Sequence, residues 1–118
     1  VGYVGNNTKF DYKIPQRFQR SIIDEYCAEI GIRTVGYQFE NEGLDWMPIL
    51  EHYIEQKPTG MVMNSIYSLP DDPDRRNFIL DKALELNVIM IFATEVIVMK
   101  TEKDVARIKE YFEYYLPY

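Results

Sequence analysis

The chain of 118 residues holds one cysteine, Cys27, and one histidine, His52. A single thiol excludes an internal disulfide and fits a reducing compartment, so a cytoplasmic location is expected. With one imidazole and one thiol, both in stretches that read as helix, the chain offers no metal-ligand cluster of zinc-like spacing, and no metal or cofactor is expected. Positive charge is scarce as well. Thirteen lysines and arginines face 19 aspartates and glutamates, a net charge of −6, which argues against a nucleic-acid partner because such a partner calls for a basic face. No apolar run approaches the ~20 residues of a membrane span. The first residues lack the basic segment and apolar core of a secretion signal. No repeat, linker or low-complexity stretch is visible. What the chain does have is apolar content: 47% hydrophobic and 14% aromatic residues. That excludes intrinsic disorder, and the length suits one domain over residues 1–118.

Apolar, β-branched runs alternate with helical spacing, the pattern of a parallel sheet wrapped by helices. Residues 1–4 read as a strand ended by Gly5-Asn6-Asn7-Thr8. A helix follows Pro15, with Phe18, Ile22, Ile23, Tyr26, Cys27 and Ile30 at spacings of three and four, and Gly31 stops it. Residues 33–39 are the expected second strand. Asp45 is placed to cap a second helix with Pro48 in its first turn and Leu44, Met47, Leu50 and Ile54 as its buried stripe. Residues 61–66 read as a strand covered on both faces. Asp72-Pro73 is a cap followed by proline at the first helical position, and Ile79, Leu80, Ala83 and Leu86 then face inward. Residues 88–93 form the most hydrophobic strand, expected at the centre of the sheet, and 95–100 a short fifth strand. Thr101 with Asp104 resembles a capping box that opens a last helix reaching about Tyr115, with Val105, Ile108, Phe112 and Tyr115 buried. The expected architecture is an α/β fold ordered βαβαβαββα, with a mostly parallel sheet of four or five strands, about four helices and right-handed crossovers.

In such sheets ligands bind beyond the carboxyl ends of the strands. That rule selects Asn6, Asn7 and Thr8 after the first strand, and Glu40, Asn41 and Glu42 after the second. It selects Ser65, Tyr67 and Ser68 after the third, with Arg75 and Arg76 beyond, and Thr94 and Glu95 after the fourth. The Gly5 loop is open to two readings: an anion cradle built from backbone N–H groups, or an ordinary strand-to-helix turn. It carries neither glycine-rich phosphate fingerprint. Ser65 and Ser68 read as ligand hydrogen-bonding groups or nucleophiles, or as parts of a turn into the third helix. A nucleophile needs a base in reach, and His52 sits away from the strand ends, which speaks against a Ser-His-Asp triad. Arg75 and Arg76 follow Asp71, Asp72 and Asp74, so local ion pairing competes with anion binding. Glu40 and Glu95 are candidates for proton transfer. Glu95 stands out because it directly follows the apolar run Ile89-Met90-Ile91-Phe92-Ala93. Cys27 reads as a buried helix residue. The run from Tyr111 to Tyr118 holds more rings than one helical face can bury, which points to a homo-oligomer contact through the helices and this aromatic terminus.

Two resemblances follow from these motifs. Val1-Gly2-Tyr3, Ile14-Pro15-Gln16 with the helical pattern up to Gly31, the stretch 61–69, and the stretch 89–95 resemble the catalytic domain of serine recombinases, the resolvase–invertase group. That resemblance implies a flavodoxin-like, resolvase-like three-layer sandwich with strand order 2-1-3-4-5 and an antiparallel last strand. It does not extend to the chemistry. Asn7 stands near the place of that family's nucleophilic serine, with no arginine before it. Tyr67-Ser68-Leu69-Pro70-Asp71 replaces a segment that carries two arginines in the family, so strand exchange is not expected. The chain is also similar, over nearly its full length, to the sporadic carbohydrate cluster proteins of bacteria. The matching pieces are Gly2-Tyr3, Ile14-Pro15-x-x-x-Gln19, Tyr26-Cys27, Ser65-x-x-Ser68-Leu69-Pro70, Arg76 and Phe92-Ala93-x-Glu95. That similarity implies a place in surface-polysaccharide or unusual-sugar biosynthesis and an anionic sugar or nucleotide-sugar ligand. Asn6, Asn7, Thr8, Tyr67 and Arg76 would hold the ligand, and Glu95, Ser65 and Ser68 would be the candidate catalytic groups. The rival expectation is a non-catalytic, homo-oligomeric scaffold for a biosynthetic enzyme.

Overall fold

Strands β3 (Gly60–Met63) and β4 (Ile89–Phe92) alternate their side chains between two apolar layers. Met61, Met63, Met90 and Phe92 join a large core, whereas Val62 and Ile91 join a smaller one. The period of two along a strand imposes this division. The computed structural model describes residues 2–4, 16–32, 36–39 and 47–114. It places five strands in one sheet of order β2-β1-β3-β4-β5, with β1 at Gly2–Val4, β2 at Tyr37–Phe39 and β5 at Ile97–Met99. Every neighbouring pair is parallel except β4 with β5.

The helices divide unequally over the two faces. The large core is closed by α2 (Pro48–Glu55), α3 (Pro73–Glu85) and α4 (Glu102–Tyr114), through Leu50, Ile54, Ile79, Leu80, Ile108 and Phe112 among others. The opposite face is covered by α1 (Gln16–Ile30), which presents Ile23 and Cys27 to Val62 and Ile91. Gly31 follows α1 at φ +75°, a left-handed stop that costs glycine little. Cys27 is a buried free thiol, as its place in the apolar stripe indicates.

Helix starts written in local chemistry appear where they were expected. The Asp72 side chain accepts the N–H of Arg75 at 2.9 Å, with Pro73 at the first helical position. Thr101 Oγ1 accepts the N–H of Asp104 at 3.2 Å, while Asp104 Oδ2 accepts the N–H groups of Thr101 and Lys100, each at 3.1 Å. The start of α2 differs from expectation. Asp45 and Leu44 lie outside the described residues, and the residue before Pro48 is Met47, in a left-handed conformation with φ 52° and no side-chain cap. Burial holds it there: Met47 is packed into the large core.

Three strand expectations are also corrected. The third strand ends at Met63 rather than at residue 66, because Ile66–Ser68 turns into a short 3₁₀ helix. The fifth strand begins at Ile97, since residues 93–96 form a turn. The middle of the sheet is held by β3, with β4 one place off centre. Hydrophobicity reports burial on both faces, and β4 achieves that beside β5 without being central. Of the second strand only Tyr37–Phe39 falls in the described residues as strand; residues 33–35 lie outside them, as does Tyr115.

Ion pairs link the helices over the large core. Glu51 on α2 accepts from Arg75 on α3, Lys82 bonds Glu55 at 2.7 Å, and Lys109 on α4 bonds Asp81 at 2.8 Å. The donated Arg75 hydrogen bond is the main cause holding the Glu51 carboxyl below its ordinary value. Asp104 is lowered too, first by the Lys100 N–H and then by Thr101. A carboxyl depressed in the folded chain adds stability that is complete above its unfolded value. That stability is lost as pH falls through the folded one. In urea unfolding, Thr101→Ala should therefore cost about 1 kcal/mol at neutral pH. Asp104→Asn should flatten the acid-side fall of the unfolding midpoint relative to the parent.

Candidate functional site

Beyond their last residues β3 and β4 stay in register. The Ala93 N–H donates to Met63 O and the Thr94 N–H to Asn64 O, each at 2.8 Å. This extended ladder sets the turn 93–96 directly against the start of the 65–72 loop. Ser65 is extended (φ −159°, ψ 159°) and caps the 3₁₀ turn: its Oγ accepts the Tyr67 N–H at 3.1 Å. The same hydroxyl donates to Glu95 Oε2 at 2.6 Å, and the Ile66 N–H donates to Glu95 Oε1 at 2.9 Å. Both carboxylate oxygens of Glu95 thus fasten one loop. Thr94 Oγ1 donates to Asn64 Oδ1 at 3.3 Å beside them.

The far end of the loop is secured by Arg76. Its Nη1 donates to Pro70 O at 3.2 Å and Asp71 O at 3.0 Å, and its guanidinium lies 3.9 Å from the centroid of the Phe112 ring on α4. At 5% exposure it is a buried cation held by carbonyls and a π face. The Tyr67 hydroxyl donates to the Tyr111 hydroxyl at 3.2 Å, and the Tyr67 ring meets Phe112 edge-on.

The sequence-selected residues are distributed as follows. Ser65, Tyr67, Ser68, Arg76 and Glu95 meet around one loop. Ser65 and Ser68 are both buried, the Ser68 N–H donating to Ser65 O at 2.9 Å. Arg75 pairs across to Glu51 on α2. His52 is exposed on α2, edge-on to Tyr53. Asn6, Asn7, Thr8, Glu40, Asn41 and Glu42 lie outside the described residues. Among the described residues no group of three histidine, cysteine or acidic side chains could hold a metal ion.

Ser65 has a carboxylate in hydrogen-bond reach, the relation an activated hydroxyl requires. In this conformation, however, its oxygen is closed off from solvent and already accepts a backbone N–H. Sequence reasoning passed over Asn64 and Phe112. Asn64 ends the run Met61-Val62-Met63 as a buried polar residue, a signal that marks a strand end. Phe112 read only as core.

The order β2-β1-β3-β4-β5, the antiparallel last strand and the four α-helices of the described residues make this a resolvase-like α/β fold. Among solved structures, the chain is similar to the N-terminal catalytic domain of the TP901-1 integrase. The TM-score is 0.72 at 10% identity, over 96% of this chain and 92% of that one. At so low an identity the likeness is one of fold. No family model matches the sequence, and no curated protein matches it. None of these comparisons points to carbohydrate biosynthesis. Among the described residues no helix is long and apolar enough to cross a membrane.

A half-buried carboxylate that accepts two hydrogen bonds leaves both donors without that partner when it is removed. Glu95→Ala should lower unfolding stability by about 2–3 kcal/mol and Ser65→Ala by about 1–2 kcal/mol. The double variant should lose less than the sum, because both substitutions break one bond. Chemical denaturation of the four proteins checks this.

Proposed function

We propose that this resolvase-like domain does not carry out strand exchange and instead binds an anionic sugar or nucleotide sugar at the strand-end rim, in bacterial surface-polysaccharide or unusual-sugar biosynthesis. The observation that carries the binding reading is the closed state of the rim's serines. Ser65 is wholly buried and bonded to Glu95, and Ser68 is buried as well. Such hydroxyls shape a loop and do not attack a phosphodiester. The loop after β1, where Asn7 replaces a serine, contains none. The net charge of −6 opposes a DNA backbone as substrate. The biosynthetic setting rests on the motif resemblance alone.

In this reading Asn6, Asn7 and Thr8 offer neutral hydrogen bonds and backbone N–H groups to the anionic part of the ligand. Tyr67 offers its hydroxyl, and Arg76 supplies positive charge from beneath the loop. For a reaction at the rim, Glu95 is the proton-transfer group, and Ser65 holds that carboxylate in place through its hydrogen bond.

Thermal-shift and calorimetric titration with nucleotide sugars and sialic-acid-like sugars tests the reading. A bound ligand at a hundred times its Kd stabilises by about 2.7 kcal/mol. The expected result is a shift in the parent that Asn7→Ala and Tyr67→Phe each weaken about tenfold, as loss of one good hydrogen bond does. Equal affinity in all three proteins would remove the rim from the ligand's path, and no shift with any ligand would overturn the reading.

A further inference from the structure

Five polar or charged side chains are buried among the described residues: Gln19, Asn64, Ser65, Ser68 and Arg76. Burying such groups is costly, so where they gather is informative. Asn64, Ser65 and Ser68 follow β3 directly, and Arg76 secures the loop after it. Gln19 arrives from the other side of the sheet. Because α1 returns between the parallel neighbours β1 and β2, it runs against the strands, and its first turn lies over their carboxyl ends. All five side chains therefore belong to one rim.

Two periodicities bring Gln19 and Asn64 to the same level. On α1, Gln19, Ile23 and Cys27 follow at spacings of four and share one stripe, of which Ile23 and Cys27 pack on Val62 and Ile91. Gln19 stands one turn nearer the rim, about 6 Å along the axis. On the strands, Asn64 and Ala93 lie two residues beyond Val62 and Ile91, on the same face and about 7 Å nearer the rim. The Thr94 N–H bond to Asn64 O carries the ladder that far. The smaller layer thus changes at its rim end from apolar packing to two carboxamides and the small Ala93. Thr94 Oγ1 joins them through its bond to Asn64 Oδ1 at 3.3 Å. Packing alone does not call for this change, since apolar side chains of similar shape would fill the layer at little or no cost. The sheet also separates charge. Glu95 and Arg76 act on the side of α2, α3 and α4, whereas Gln19 and Asn64 on the α1 side are neutral.

We infer that Gln19 and Asn64 determine which sugar the rim accepts, by reading the hydroxyl groups of a neutral sugar ring on the α1 side of the sheet. A carboxamide presents a donor and an acceptor side by side, the pattern that two adjacent hydroxyls complement. Being uncharged, it recognises hydroxyls without drawing the anionic part of the ligand to itself. Ser65 is already engaged by Glu95 and by the Tyr67 N–H, so the amides are the groups suited to this task. A site built to bond a hydroxyl strongly rejects an analogue that lacks it. The inference rests on the ligand reading proposed for the rim and adds an orientation, with the neutral ring toward α1.

Calorimetric titration of the full chain with a nucleotide sugar, and with the same nucleoside diphosphate lacking the sugar, tests it. The parent should prefer the nucleotide sugar. Gln19→Leu and Asn64→Ala should each weaken the nucleotide sugar about tenfold and leave the nucleoside diphosphate within about twofold, so that the preference collapses. Asn7→Ala, at the anionic part, should weaken both ligands alike. Circular dichroism confirms folding, and the near-isosteric Gln19→Glu serves where Gln19→Leu does not fold, with the same loss of preference expected. In thermal unfolding without ligand, Gln19→Leu should match or exceed the parent, a result that a purely structural role for Gln19 would not give. A parent that binds neither ligand would overturn the rim reading and this inference with it. A parent that binds the nucleotide sugar while the Gln19 and Asn64 variants keep its preference, or lose both ligands equally, would overturn this inference and leave the rim reading standing.

Discussion

The structure depends on the alternation of side chains along β3 and β4. Those strands pair over their full lengths, Gly60 with Ile89 through Met63 with Phe92. In that register Met61, Met63, Met90 and Phe92 point to one face and Val62 and Ile91 to the other. A one-residue slip would send the larger set to the thinner layer. Three helices cover the first face and α1 the second, so the molecule is a three-layer sandwich of unequal halves. The helix ion pairs over the large core add little energy by themselves, being partly exposed. They set α2, α3 and α4 against one another once apolar burial has brought them together.

The rim follows from the same register. Because the ladder runs on past Met63 and Phe92, the turn after β4 is delivered to the loop after β3. Backbone groups released at the strand ends are then satisfied by side chains: the Ile66 N–H by Glu95, the Tyr67 N–H by Ser65, and the Pro70 and Asp71 carbonyls by Arg76. Buried backbone polar groups require partners. A loop that leaves the sheet between two layers obtains them from residues on three different elements. This makes the rim stiff, and it makes its serines poor nucleophiles in the conformation observed.

The parts of the fold that sequence reading reached are those whose physics is local. Asp72-Pro73 and the Thr101–Asp104 pair announce their helices because donor and acceptor lie within four residues of each other. Cys27 lies in an apolar stripe whose spacing is visible without any partner. The rim was legible as a set of strand-end residues, but its wiring was not. Ser65 and Glu95 stand 30 positions apart, and Arg76 reaches the Pro70 and Asp71 carbonyls and the Phe112 ring of a distant helix. Val96 was read as part of the fifth strand, and its left-handed turn at φ 56° departs from what a β-branched residue favours.

The sequence by itself determined the α/β class, the succession of elements and the apolar residues of each helix, because periodicity and capping act over a few residues. Tertiary structure decided which strand is central, which serine is sealed, which carboxylate fastens which loop, and that β5 is left as an edge. Those outcomes depend on how crossovers order strands from distant parts of the chain. No short window of residues contains both partners of a contact made across that order.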